Sequence, residues 1–276
     1  MPRFSETQTR AVRELIGLPR LAPDAVPAVT RVGIDDLRRA LELPEPPYRE
    51  LLSDRLWLGG STLPRWLLQG NGMGHASQGD VDFFVPDVEA FNDGARSLLG
   101  SGFTFRTFRS RRRMCQLCGG PAELIGGLEP DVPFLPPLER FRCPDCGDFG
   151  GADAAEMTAD RLPRLDAATL AERGLLALEL KAPGGAIVHL SAKQVDPDPV
   201  RVCTAFDFSV VHFMLDHRDL HFGRHAWTDL LTNRLRLVNL TNRIENYDRM
   251  HKYQRSYGFR PYLTTRLRVE LRRRLP

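Results

Sequence analysis

The spacing of apolar residues in the first 52 positions is typical of helices. Apolar residues recur every three to four positions over 7–16 and again over 34–43, and a proline-bearing stretch separates the two patterns. Asp35 and Asp36 open the second pattern, and the proline-rich segment 44–47 ends it. We therefore expect two short helices that pack on the rest of the chain as a helical lead-in.

A strand pattern then changes into a helix pattern. An apolar run at 56–58 breaks at Gly59-Gly60-Ser61, and a second apolar run occupies 62–68. This break predicts a strand, a tight turn and a helix, with Pro64 in the first helical turn, where its missing N–H is tolerated. Glycines in such a turn let a phosphate approach backbone N–H groups at the helix N-terminus, and the Ser61 hydroxyl adds a donor.

The next strand pattern carries two acidic residues. A period of two over 79–85 places Asp80 and Asp82 on one face of a strand, with Val81 and Phe83 on the other. Two neighbouring carboxylates repel each other, so the arrangement favours a bound cation. Hard oxygen ligands of this kind suit Mg²⁺ that arrives with substrate phosphates.

Downstream, helical and strand patterns alternate. The residues predict a helix at 87–99, a strand at 102–108, a short helix at 166–173, a hairpin of strands 175–181 and 185–190 around Pro183-Gly184, a strand at 203–211 and a helix or helix pair at 228–257. His189, His212 and Lys193 occur in this part of the chain, and no role is assigned to them.

Four of the five cysteines form two Cys-x-x-Cys units. Cys115 with Cys118 and Cys143 with Cys146 are each followed by glycine, and 24 residues separate the pairs, which predicts a structural zinc site closed by four thiolates. Two separate redox dithiols are the alternative, and the matched glycines favour zinc. Cys203 stands alone on the expected strand at 203–211, where a buried apolar role is expected.

Charge is distributed unevenly along the 276 residues. The net charge is +3, yet residues 224–276 hold 13 Lys and Arg against 4 Asp and Glu, which leaves 25 against 31 in residues 1–223. In the segment 249–259 aromatic residues alternate with cations, as base stacking and phosphate pairing require. This basic tail predicts contact with nucleic acid through Arg249, Lys252 and Arg255, and a solvated helix face is the alternative.

The order of these motifs resembles a known family. Gly60-Ser61 after a strand, then a helix, then Asp80-x-Asp82 on the next strand is similar to the signature of the DNA polymerase beta-like nucleotidyltransferase superfamily. The resemblance, to a small stand-alone member, covers about 56–86 and 175–216. One departure is a longer stretch between Ser61 and Asp80, which residues 70–74 fill.

The resemblance implies an α/β fold, in which a mixed sheet carries the catalytic carboxylates, and a two-metal-ion enzyme. Gly59, Gly60 and Ser61 would bind the triphosphate, and Asp80 and Asp82 would hold Mg²⁺ or Mn²⁺. Asp207 is the best match to the third carboxylate of the family, which ligates one metal and accepts the proton of the attacking hydroxyl. The reaction implied is transfer of a nucleotide from an NTP to a hydroxyl of RNA, DNA or protein, with release of pyrophosphate.

Two other classes of function remain open. A catalytically inactive module could bind nucleic acid through the zinc ribbon and the basic tail. A metal-dependent glycosyltransferase could use the same Asp-x-Asp, although no Rossmann-like half precedes it.

These patterns divide the chain into five parts. We expect a helical lead-in at 1–52, a nucleotidyltransferase core at 53–108 and 151–222, a zinc-ribbon insertion at 109–150 and a basic helical tail at 223–276. With 42% hydrophobic residues, no transmembrane run and no signal-peptide pattern, the sequence favours a soluble cytoplasmic protein without a membrane partner.

Overall fold

The computed structural model of the chain describes residues 4–22, 24–69, 80–110, 123–128, 138–143, 147–149, 158–160, 162, 164–168, 175–193, 195–239 and 243–262. The chain divides into two compact units, of which the first comprises residues 1–77 and 198–276 and the second residues 78–197. Both units combine helices with strands, so the expected mixed α/β class is confirmed.

The described elements are, in chain order, α1 (Glu6–Leu15), β1 (Arg31–Gly33), α2 (Ile34–Leu41), β2 (Trp57–Gly59), α3 (Thr62–Gln69), β3 (Val81–Phe84), α4 (Val88–Gly100), β4 (Thr104–Ser110), β5 (Glu123–Leu128), β6 (Leu138–Cys143), β7 (Gly147–Phe149), β8 (Leu175–Lys181), β9 (Ile187–Ser191), α5 (Pro199–Thr204), β10 (Phe213–Leu215), β11 (Asp219–Phe222), α6 (Ala226–Leu231), β12 (Arg234–Arg236), α7 (Arg243–Tyr257) and β13 (Arg260–Tyr262).

Four strands of the first unit lie in the order β1-β11-β10-β2, and each neighbouring pair is antiparallel. The two lead-in helices form as expected. Ser5 and Gln8 make a capping box at the start of α1, and Val12 of α1 and Leu37 of α2 are fully buried. The Trp66 indole N–H of α3 donates to the Pro44 carbonyl at 3.1 Å, which ties the end of the lead-in to α3.

In the second unit the strand order is β3-β9-β8-β4. Strands β3 and β9 are parallel, whereas β8 is antiparallel to both β9 and β4. The predicted hairpin is confirmed, because β8 and β9 pair around the Pro183-Gly184 turn. Helix α4 begins where the sequence indicates, with the Asp87 carboxylate accepting from the Ala90 N–H at 2.7 Å.

Strands β5, β6 and β7 form a separate antiparallel three-stranded sheet inside the segment that we expected to be an insertion. Cys143 is the last residue of β6, and Cys115, Cys118 and Cys146 lie outside the described residues. The zinc site therefore stays a prediction.

The predicted strand at 203–211 is wrong. Asp198 caps the Val200 N–H and Pro199 occupies the first turn, so the chain forms helix α5 there and Cys203 is buried in that helix. Asp207 follows α5 in a bend, and the nearest strand-like feature is a single bridge between Phe208 and Leu237.

The helix or helix pair predicted over 228–257 forms as two helices, α6 and α7, with the strand β12 between them. Helix α6 ends at Leu231, Asn233 has a left-handed φ of 58°, and β12 then pairs in parallel with β13. Arg234 and Arg236 consequently lie on a strand, where both guanidinium groups stack on the Tyr262 ring at 5.3 and 4.7 Å. Among the described residues, no helix has the length and apolar character needed to cross a membrane.

Candidate active site

The turn between β2 and α3 has the geometry that the sequence predicts. Gly60 adopts a φ of +66°, a conformation that costs a residue with a Cβ about 1–2 kcal/mol, so glycine is favoured there. Gly60 and Ser61 are partly exposed, whereas the helix that follows is buried over Thr62–Leu68. The turn therefore presents its backbone and the Ser61 hydroxyl from a rigid helix.

Arg65 stabilises this turn from inside the helix. Its side chain is buried, its Nε donates to the Ser61 carbonyl oxygen at 3.1 Å, and one terminal nitrogen donates to the Thr62 hydroxyl at the same distance. The guanidinium thus fixes the backbone at the point where the phosphate-binding role is expected. Sequence reasoning missed Arg65, because an arginine in a first helical turn ordinarily faces solvent.

The two aspartates of the Asp-x-Asp motif lie as expected on the second unit. Asp80 is exposed just before β3 and Asp82 is half-buried within it, while Val81 and Phe83 are buried on the opposite face. Both carboxylates are thus partly accessible from the same face of one strand.

Asp82 is the first member of a row of side chains that crosses four strands. Its Oδ1 lies 3.3 Å from Nδ1 of His189, which is directly opposite it on β9. On the other side of the ring, His189 Nε2 lies 3.4 Å from Oε2 of Glu179, the residue opposite it on β8. Arg106 of β4 completes the row with a 3.2 Å ion pair to Glu179.

Neither His189 nor Glu179 was assigned a role from the sequence. One signal was available, because a hairpin centred on Pro183-Gly184 places Glu179 opposite His189. The pairing of His189 with Asp82 had no such signal, since a parallel neighbour far along the chain leaves no local mark in the sequence.

Asp207 belongs to the first unit and is bound by cations and amides of that unit. Its buried carboxylate forms an ion pair with Arg249 of α7, and its carbonyl oxygen accepts the backbone N–H groups of Val238 at 2.8 Å and Asn239 at 3.2 Å. Arg249, for which we expected contact with nucleic acid, therefore has a carboxylate partner within the protein. The side chains of Lys252 and Arg255, three and six positions further along α7, are exposed.

His212 holds the bend that carries Asp207. Its Nε2 donates to the Phe206 carbonyl oxygen at 3.0 Å. Burial lowers the pKa of His212 from 6.5 to about 4, although that hydrogen bond and the Asp229 and Asp207 carboxylates act in the opposite direction. The ring is consequently neutral at physiological pH.

The residues present fit a hard divalent cation at one place. Asp80 and Asp82 offer accessible oxygen ligands on one strand face, the donor type that Mg²⁺ and Mn²⁺ take. Within the described ranges, no group of three or more His, Cys, Asp or Glu side chains is arranged to hold a metal ion by itself. The two aspartates would therefore share the cation with oxygen atoms from elsewhere, as substrate phosphates provide.

Comparison with known proteins gives a limited result. No model of a known protein family matches the sequence, and no curated protein matches it. Three solved structures show a partial likeness of fold. They are a CCA-adding enzyme with CTP (12% identity, TM-score 0.42, 85% of this chain and 44% of that one), the Thermotoga maritima CCA-adding enzyme complexed with tRNA (12%, 0.45, 88% and 46%) and a tRNA-processing enzyme in an apo form (14%, 0.43, 84% and 48%).

This chain spans less than half the length of each of these structures. The likeness is confined to the coarse mixed α/β fold.

Proposed function

We propose that this protein is a metal-dependent nucleotidyltransferase that moves a nucleotide from an NTP to a hydroxyl acceptor and releases pyrophosphate. The observation that carries the proposal is the Asp80 and Asp82 pair, an exposed carboxylate immediately before β3 and a half-buried one within it. The left-handed Gly60 turn at the start of α3 supports it, because the same combination defines the resemblance found in the sequence.

The turn supplies phosphate binding in this proposal. Gly60 leaves the backbone open to an oxygen atom, and the N–H groups at the start of α3 point along the helix axis toward an anion. Ser61 contributes a hydroxyl donor, and Arg65 keeps the Ser61 carbonyl in place. Together they would orient the β- and γ-phosphates.

The aspartates supply cation binding. Asp80 and Asp82 would hold two Mg²⁺ or Mn²⁺ ions, whose chemistry when bound is to neutralise phosphate charge and to activate the attacking hydroxyl. Asp207 is the sequence candidate for the third carboxylate and proton acceptor. Because its carboxylate pairs with Arg249, that role requires Arg249 to release it.

The acceptor in this proposal is RNA, DNA or a protein hydroxyl. The exposed Lys252 and Arg255 on α7 support a polyanionic acceptor, since each cation near a phosphate releases a bound counterion.

A second candidate function is a catalytically inactive nucleic-acid-binding module. The ion pair between Asp207 and Arg249 favours it, because a carboxylate already neutralised by a guanidinium is a poor metal ligand.

Thermal unfolding with Mg²⁺ and each NTP in turn separates the two candidates. An NTP at about 100 times its Kd stabilises the protein by about 2.7 kcal/mol, so the enzyme should show a clear rise in Tm that needs both NTP and metal. Asp80→Asn and Asp82→Asn should each reduce that rise, whereas Asp93→Asn, at an exposed carboxylate of α4, should keep it. A wild-type protein that no NTP stabilises, but that still binds RNA or DNA, would favour the inactive module.

A further inference from the structure

The row that starts at Asp82 contains an imidazole between two carboxylates, and such a contact orients both neighbours. His189 faces Asp82 through Nδ1 and Glu179 through Nε2, and the residue is buried. Ionised carboxylates only accept hydrogen bonds, so whichever ring nitrogen carries a proton donates its N–H to the carboxylate that it faces.

We infer that His189 is a positioning residue for Asp82: the imidazole holds one carboxylate oxygen of Asp82, and Glu179 holds the imidazole. The inference rests on the proposed function, in which Asp82 is a metal ligand. The contact uses Oδ1 of Asp82, so Oδ2 remains to face a cation. Ligating carboxylates in metal sites are regularly fixed by such outer hydrogen bonds, and loss of the outer partner typically weakens metal affinity about 10–100-fold.

The strands explain why these three residues are suited to this role. Asp82, His189 and Glu179 are direct neighbours across β3, β9 and β8, so their side chains leave the same face of the sheet. The backbone ladders on both sides of β9 fix the position of the ring. Glu179 is buried too, and Arg106 balances its charge at the outer end of the row.

The test measures Mn²⁺ affinity of the full chain by the loss of the free-ion electron paramagnetic resonance signal. Three variants separate the two contacts of the ring. His189→Leu removes both ring nitrogens, His189→Asn keeps an amide near the position of Nδ1 facing Asp82, and His189→Gln keeps one near the position of Nε2 facing Glu179. We expect His189→Leu to raise the Kd for Mn²⁺ about 10–100-fold. We also expect His189→Asn to retain more affinity than His189→Gln.

Glu179 acts through the ring, so its effect should depend on His189. Glu179→Gln should weaken Mn²⁺ binding in the wild-type background and have no further effect in His189→Leu, which is the signature of two residues that act as one unit. A purely structural His189 would lower the Tm without changing the Kd for Mn²⁺, and Tm is measured for every variant. If His189→Leu does not fold, the order of Mn²⁺ affinities can still be measured with three other variants, which are His189→Asn, His189→Gln and Glu179→Gln.

Failure of the inference and failure of the proposed function give different results. If wild type binds Mn²⁺, Asp82→Asn weakens that binding and the folded His189 variants bind as wild type does, the inference is overturned while the proposed function stands. If wild type binds no Mn²⁺ with or without NTP, or if Asp82→Asn binds it unchanged, the metal site of the proposed function is wrong and the inference fails with it.

Discussion

The buried His212 should make the first unit less stable in mild acid. In the folded protein its pKa is about 4, and in the unfolded chain a histidine has its ordinary value of 6.5. Below pH 6.5, His212 of the unfolded chain therefore binds a proton, whereas His212 of the folded protein stays neutral until the pH approaches 4. The free energy of unfolding should be at its full value above pH 6.5 and decline as the pH falls toward 4.

The size of the effect follows from the two pKa values. Each unit of pKa difference corresponds to about 1.4 kcal/mol, so the complete loss is about 3 kcal/mol, of which about 2 kcal/mol appears by pH 5. This is a large share of the roughly 5–15 kcal/mol that stabilises an ordinary domain.

The assay is urea unfolding followed by tryptophan fluorescence at pH 7.5 and pH 5. All three tryptophans, Trp57, Trp66 and Trp227, lie in the same unit as His212, so the signal reports that unit. His212→Gln keeps an amide donor for the Phe206 carbonyl but does not titrate. Between pH 7.5 and pH 5, its free energy of unfolding should therefore decrease by about 2 kcal/mol less than that of wild type.

His217→Gln is the matched control, because it removes a partly exposed histidine of the same unit, whose Nδ1 lies 3.5 Å from Oδ1 of Asp54. It should retain the pH dependence of wild type. Equal pH dependence in wild type and His212→Gln, or a His212 pKa near 6.5 measured by nuclear magnetic resonance, would refute the reasoning.

Three further predictions concern stability, zinc and nucleic acid. Asp229 is fully buried and accepts from Arg236 Nε at 2.8 Å, so Asp229→Asn should cost about 3–5 kcal/mol in urea unfolding, because the guanidinium loses its nearest counter-ion and keeps only the more distant Asp24 carboxylate at 3.8 Å among its described ion pairs. Protein purified without chelator should contain one zinc per chain, and Cys143→Ser should abolish this zinc while the tryptophan-reported transition remains. Replacing the exposed Lys252 and Arg255 by Gln should weaken polynucleotide binding and flatten its salt dependence, which the same change at the exposed Arg10 of α1 should not do.

Each of these predictions has a contrary result. A loss below about 1 kcal/mol in Asp229→Asn would mean that Arg236 finds another partner. Absence of zinc by elemental analysis would restore the two-dithiol alternative. An unchanged salt slope in the tail variant would leave α7 with a solvated basic face.

Local signals in the sequence were sufficient for the β2–turn–α3 segment and for β3. Glycine is the residue that the left-handed conformation at 60 needs, and a period of two at 80–83 separates the aspartates from the buried Val81 and Phe83. The hairpin of β8 and β9 was predictable for the same reason, because Pro183-Gly184 marks its centre. The conformation of each of these elements is determined by residues that lie close together in the sequence.

The sequence predictions failed for two reasons, a local helix-start signal at 198–199 and tertiary contacts that leave no local pattern. Residues 203–211 are apolar enough for a strand, yet the cap at Asp198 and the proline at 199 start a helix that runs into them. The partners of Asp82 and Asp207, His189 and Arg249, are 107 and 42 residues away along the chain, so no local pattern could reveal them. The chemistry of the candidate site was thus partly visible in the sequence, and the contacts that tune it were not.

The central claim is that Asp80 and Asp82 support nucleotide transfer, and incorporation of label from each α-labelled NTP into cellular RNA, DNA or protein tests it most directly. With Mg²⁺ or Mn²⁺ present, wild type should label one acceptor class, and label should be absent without metal. The labelling rate of Asp82→Asn should be at least about 100-fold below that of wild type, while its metal-free Tm stays near the wild-type value. Asp93→Asn should label at the wild-type rate. Labelling by Asp82→Asn at the wild-type rate, or no labelling by wild type with any NTP, would contradict the account.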